Sequence, residues 1–361
     1  MPQSRTGFAL LASLALVLGS TAGASAAPKP KPPPEPAGTL VALGDSFSAG
    51  TGTFDRDDTE CYRSRDYAYP VLLAERLGAN LDFRACEGAT TGDVAANQLA
   101  TMPANTTLVT MTVGGNDVGF ADVLTTCALP WNTSSCISAI NGGKAMLSGA
   151  LGTSLTTLYG SIKSKAPNAS VTVGGYPHLF NGVNDCSWIT SFDTREMAEL
   201  NKATDELDAF IAARVAEVAG VSYVDPRTIF DNHAVCDSSP YINGYISTNV
   251  GESYHPNRAG NVAYADVFVP AGGDSGGGGG KGGGKPKATS RTTSIDEQAT
   301  YVADLGLDSP ESLARAEAAG LDPREIRGLV AQLRSGNEKV QLAALKRIEV
   351  LDERAAASAG R

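Results

Sequence analysis

The chain has 361 residues, 42% of them hydrophobic, enough for one large domain with a true core plus something smaller, which excludes wholesale disorder. Its net charge is -10, from 29 Lys and Arg against 39 Asp and Glu. An acidic chain with no basic run lacks the clustered cations that neutralise phosphates, so nucleic-acid binding is excluded from its expected functions.

Arg5 precedes an apolar run, Phe8 to Leu18, and small residues ending in Ala24-Ser25-Ala26. That layout predicts a secretory signal peptide over residues 1–26. The run is well short of the roughly 20 residues needed to span a bilayer, so no transmembrane segment is expected. The mature protein should be secreted, soluble and extracellular. Residues 27–38, dominated by Pro and Lys, read as a stiff polyproline tether.

From residue 39 to 270 short β-branched runs alternate with longer amphipathic stretches. The expected strands are Thr39–Leu43, Leu81–Ala85, Thr106–Val113, Ser170–Gly174 and Val221–Asp225. The expected helices are Tyr67–Leu77, Asp93–Ala100, Lys144–Lys165, Thr194–Ala219 and Arg258–Phe268. This alternation predicts an α/β domain with a parallel sheet covered on both faces. Its site should lie beyond the carboxyl ends of the strands.

Residues 271–290 form a Gly-rich flexible linker. Residues 291–361 return to helical periodicity, with helix starts at Ser309-Pro310 and Asp322-Pro323. They predict a small all-helical module that carries no recognisable chemistry.

In an exported chain the six cysteines Cys61, Cys86, Cys127, Cys136, Cys186 and Cys236 are expected as cystines. Six allow fifteen connectivities. The short Cys127–Cys136 spacing favours a local staple, and nearest-neighbour pairing would then join Cys61 to Cys86 and Cys186 to Cys236. C-x-x-C spacings are absent, so no metal site is expected. The acidic loop Asp55-Arg56-Asp57-Asp58 lacks EF-hand spacing and reads as solvated.

Three turns that follow strands and one that opens a helix are the candidates to carry chemistry. Gly44-Asp45-Ser46 presents a hydroxyl and a backbone N–H at the sheet edge. Gly88, in the turn after the second strand, offers an unhindered N–H. Gly114-Gly115-Asn116-Asp117, after the third strand, supplies a side-chain amide. His255-Pro256-Asn257 opens the last helix and leaves the imidazole on a loop. Asp117 is expected to brace its own loop. His178 and His233 read as structural, although His178 follows the fourth strand. Phe47, Phe120, Trp131 and Trp188 are candidates to line the cleft and equally good core residues.

These blocks, in this order and over residues 39 to 270, resemble those of the SGNH hydrolases, the GDSL lipase/esterase family. The export signal, the cysteines and Tyr176-Pro177 look most like its secreted actinomycete lipases and phospholipases. The resemblance implies a three-layer α/β/α flavodoxin-like fold and a cofactor-free serine esterase, acting on lipid esters as a monomer. Ser46 would be the nucleophile and His255 the base. The Ser46 and Gly88 N–H groups and the Asn116 amide would hold the oxyanion. The family places Asp three residues before the His, but here that position is Glu252. Either Glu252 orients the imidazole or a backbone carbonyl near Ser253 does, and the carbonyl is preferred. A polysaccharide acetyl esterase or an inactive hydrolase-fold binding protein would fit the same residues.

Overall fold

The computed structural model describes residues 38–56, 60–129, 133–183, 187–269 and 294–358. The expected signal peptide, most of the tether, the Gly-rich linker, Asp57, Asp58, Trp131 and Cys186 lie outside the described residues.

Strands β1 (Thr39–Ala42), β2 (Asn80–Phe83), β3 (Leu108–Met111), β4 (Ser170–Gly174) and β5 (Val221–Val224) form one sheet. All pairs are parallel and the order is β2-β1-β3-β4-β5, the flavodoxin-like arrangement. The chain leaves β1 toward one edge and β3 toward the other. Their carboxyl-end turns therefore diverge and open a crevice, and Ser46 and Asn116 follow these two strands. β3 is shorter than its apolar run, because beyond Met111 the Thr112 N–H is taken by Ser48 Oγ at 2.9 Å.

The first helices are α1 (Ser46–Ala49), α2 (Tyr69–Leu77) and α3 (Thr91–Asp93), and α3 runs into a π-helical turn over Val94–Gln98. α4 (Phe120–Ala128) and α5 (Thr133–Met146) form a hairpin before α6 (Leu151–Lys165) and α7 (Thr194–Ala216). α8 (Arg227–Phe230) and α9 (Arg258–Val267) complete this part. α2 packs against α9, and α6 against α7, which gives three layers.

Two expectations need correction. The periodicity over Lys144–Lys165 belongs to the end of α5 and all of α6, separated by turns in which Leu147, Ser148 and Gly149 N–H groups bond three residues back. The segment expected as one helix over Asp93–Ala100 is instead mostly the π turn. α4 and most of α5 are not visible as helices in the sequence, because Thr133–Gly143 is rich in Ser, Thr, Asn and Gly, weak helix formers. The Cys127–Cys136 disulfide and packing on α7 stabilise them instead.

Four more helices follow: α10 (Ile295–Asp304), α11 (Pro310–Ala318), α12 (Pro323–Leu333) and α13 (Glu338–Ser358). The anticipated caps form, Ser309 accepting from Ser312 N–H and Asp322 from Arg324 N–H. Val302, Ile326, Leu345 and Ile348 are fully buried, and their core is continuous with that of the sheet. Polar anchors join the two. Glu349 Oε2 accepts from Ser247 N–H (2.7 Å), Ser247 Oγ–H (2.6 Å) and Thr248 N–H (3.2 Å). Asp352 accepts from Trp188 N–H at 2.9 Å, and Arg315 donates to Thr190 O at 2.7 Å. No described helix is long and apolar enough to cross a membrane.

Candidate active site

The turn after β1 is over-determined. Gly44 sits at φ 115°, and a Cβ there would come within 2.3 Å of Thr112 O. Its N–H donates to Gln98 Oε1 (2.7 Å), and its carbonyl accepts from Gln98 Nε2 (2.8 Å). Asp45 caps α1, accepting from Phe47 N–H, Thr112 Oγ1–H (2.7 Å) and Tyr176 O–H (2.5 Å). Burial pushes the Asp45 pKa up to about 6, against the lowering effect of those bonds. Ser46 thus starts a single helical turn whose direction is fixed from three sides.

His255 is held at the mouth of α9. Asn257 caps that helix through Gly260 N–H, leaving His255 outside it. Tyr254 has φ 57°, an unusual conformation for a bulky residue. Asn243 clamps it in place: the backbones of Tyr254 and His255 bond to Asn243 on both sides, and Asn243 Nδ2 donates to Gly52 O and Glu252 O. The imidazole Nε2 lies 2.8 Å from Ser46 Oγ, and Nδ1 lies 2.8 Å from Ser253 O. A carbonyl can only accept, so Nδ1 carries the proton and the Nε2 lone pair faces the serine. Burial, foremost, lowers the His255 pKa to about 4, and the ring is neutral at neutral pH.

Glu252 does not touch the imidazole. It is fully buried and accepts from Gly52 N–H (2.5 Å), Phe54 N–H (3.3 Å) and Arg56 Nε–H (2.5 Å). Arg56 also pairs with Glu87 at 3.2 Å. The carboxylate therefore ties the loop after the serine to the loop before the histidine.

Ser46, Gly88 and Asn116, the three residues expected to supply donors, line the same cavity as His255. Gly88 has φ 76° with open space around its Cα, so glycine is required there by backbone conformation. Asn116 spends one amide proton on Ala89 O at 3.0 Å, leaving a second to give. Asp117 accepts from Thr91 N–H and Oγ1–H (2.6 Å), bracing the Asn116 turn against the Gly88 turn. The Cys61–Cys86 disulfide anchors the latter turn from its other side. Cys236 is also disulfide-bonded.

Beyond the donors the cavity, of about 330 Å³, continues as an apolar slot. Ala121, Leu124, Thr125 and Ala128 of α4 line one wall. Leu200, Ala203, Thr204 and Leu207 of α7 line the other. Each set has the i, i+3, i+4, i+7 spacing of one helical face, so the slot follows these helices for about 10 Å. Phe47 and Phe120 line it, whereas Trp188 is buried elsewhere, its backbone N–H on Asp352. His178 pairs with Asp205 at 2.8 Å, and His233 stacks on Tyr241. Neither lines the cavity. Among the described residues no cluster of His, Cys, Asp and Glu could hold a metal ion. Gln98 and Asn243 carry no signal in the sequence, Tyr176 stands there only as a family mark, and Arg56, in a loop expected to be solvated, is instead only 10% exposed and paired with Glu252 and Glu87.

The family model described as GDSL-like Lipase/Acylhydrolase matches residues 42–263. Lipase 1 of Streptomyces coelicolor is 41% identical over 223 residues, which cover 61% of this chain and 81% of that protein. A lipase of Streptomyces rimosus is 37% identical, covering 72% of this chain and 93% of its own. The crystal structure of phospholipase A1 from Streptomyces albidoflavus NA297 superposes with a TM-score of 0.60 at 36% identity. It covers 64% of this chain and 98% of its own.

Proposed function

The chain belongs to the GDSL-like lipase/acylhydrolase family, and from that membership we propose that it hydrolyses fatty-acyl esters through Ser46 and His255. His255 Nε2 takes the Ser46 proton as Oγ attacks the ester carbonyl, and the resulting imidazolium returns it to the leaving alcohol. Water then repeats the sequence on the acyl-enzyme. The Ser253 carbonyl acts as the positioning group, holding the Nδ1 proton and stabilising the imidazolium that forms. The Ser46 and Gly88 N–H groups and the Asn116 amide receive the oxyanion.

The observation that carries this reading is the run of two 2.8 Å contacts, from the Ser253 carbonyl through the imidazole to Ser46 Oγ. The substrate class rests on the adjoining slot, whose walls are overwhelmingly apolar. An acetyl group would leave most of it empty, so the slot favours acyl lipids, phospholipids among them, over acetylated glycans. The disulfides Cys61–Cys86 and Cys127–Cys136 and the N-terminal export pattern support action outside the cell.

The test is labelling with an alkyl fluorophosphonate, followed by peptide mapping. The reading expects one adduct on Ser46 in the wild type and none in Ser46→Ala. A folded wild-type protein that resists labelling contradicts it and supports a binding protein.

A further inference from the structure

Helix α10 reaches the catalytic cavity from outside the family match at residues 42–263. Tyr301, in its second turn, lines the same cavity as Ser46 and His255, and its hydroxyl lies 3.3 Å from Thr125 Oγ1 on α4. Position along α4 says where in the slot it stands. Phe120 begins that helix beside the oxyanion turn, its N–H bonded to Gly115 O at 3.1 Å. Thr125 lies five residues further, about 8 Å along the axis. Tyr301 therefore stands toward the end of the slot remote from the reacting serine.

The wall there is braced by the same C-terminal helices. Tyr245 is buried and lines the cavity. Two and three residues on, Ser247 and Thr248 are gripped by Glu349 of α13. Val302, the residue after Tyr301, is fully buried, which fixes the side of α10 that meets the core. The ring is thus held at both its hydroxyl and its backbone.

We propose that Tyr301 closes the far end of the acyl slot and sets the longest chain the enzyme accepts. Residues 294–358 then form part of the substrate site. This rests on reading the slot as the acyl site. Removing the ring opens the slot toward the C-terminal helices, and chains that met it gain room.

The experiment uses the full chain and compares kcat/KM on the p-nitrophenyl palmitate and butyrate esters. Tyr301→Ala should raise the palmitate-to-butyrate ratio by at least about tenfold, the discrimination one methylene commands in an apolar pocket. Tyr301→Phe keeps the ring and should restore the wild-type ratio. Leu124→Trp narrows the slot nearer the serine and should lower the ratio by a similar factor. If Leu124→Trp moves the ratio and Tyr301→Ala leaves it unchanged, the assignment of Tyr301 is overturned. If neither moves it, the slot is not the acyl site and the underlying reading fails with the proposal. Melting curves accompany each variant, and Tyr301→Leu carries the same test should the alanine variant unfold.

Discussion

Glu252 occupies the position at which the family usually carries its histidine partner, so its substitution discriminates between two accounts of the dyad. In the structure its carboxylate serves Gly52, Phe54 and Arg56, while the Ser253 carbonyl serves His255. Glu252→Ala removes the acceptor of all three donors and leaves Arg56, only 10% exposed, with Glu87 as its remaining ion-pair partner among the described residues. Breaking a buried pair from one side costs about 3–5 kcal/mol. In a domain of this size that lowers the melting temperature by roughly 10 °C, and slackened loops then blur any effect on rate. Glu252→Gln is the sharper probe, since its carbonyl oxygen can still accept from the loop and its volume is kept. We expect a lower melting temperature, with kcat on a p-nitrophenyl ester within about tenfold of wild type. Were Glu252 the group that orients His255, the same exchange would mimic the loss of a triad carboxylate, worth about 10⁴ in kcat. A loss of that size with an unchanged melting temperature would refute the reasoning.

Asn116→Ala should lower kcat by about 10²–10³-fold with little change in KM, as steady-state kinetics on a short-chain ester would measure. An unchanged kcat would remove it from the oxyanion site. The acid limb of kcat/KM should fall near pH 4, where His255 takes up its proton, and a limb near 6.5 would mean the ring is solvated. For stability the sign follows from linkage: between pH 6.5 and 4 the unfolded chain binds more protons at this residue, so its contribution is full above 6.5 and declines toward 4. Asp45, raised from 3.8 to about 6, acts oppositely, its contribution full below 3.8 and lost as pH rises through 6, and buried Asp208, raised to about 7, acts in the same sense. The melting temperature should therefore fall as pH rises from about 4 to 6, and a rise would contradict this. The paired exchange Cys127→Ala and Cys136→Ala should loosen the α4–α5 hairpin. It should cost the palmitate ester more rate than the butyrate ester, and equal losses would show that the staple does not shape the slot.

Much of the proposed chemistry is legible in the sequence because it is confined to four short turns. Ser46, Gly88, Asn116 and His255 each stand where a strand has just ended or a helix is about to begin, and glycine, proline and asparagine mark those junctions locally. The frame that aims them is not local. Gln98 grips Gly44 from 54 residues away, and Glu252 reaches Gly52 across 200. A lone Gln, Asn or Glu announces nothing until the fold supplies its partner. The same limit hid α4 and α5, whose poor intrinsic helicity is overridden by a disulfide and by packing. The preference for a carbonyl near Ser253 rests on the resemblance to secreted lipases with a Ser–His dyad and on the altered reach of glutamate, while the destination of that carboxylate needs the loop at Gly52 in place. Tyr301 reads in sequence as one more apolar position of an amphipathic helix, and only the docking of α10 beside Thr125 brings it to the cavity.

The central claim is that a hydroxyl, an imidazole and three donors converge on one reacting carbon. A crystal structure of the enzyme inactivated by a long-chain alkyl phosphonate tests it most directly. The account predicts phosphorus bonded to Ser46 Oγ, one phosphoryl oxygen within hydrogen-bonding distance of Ser46 N, Gly88 N and Asn116 Nδ2, and the alkyl chain running between α4 and α7. Phosphorus on another residue, or an oxygen turned to solvent with the chain outside the slot, would contradict it.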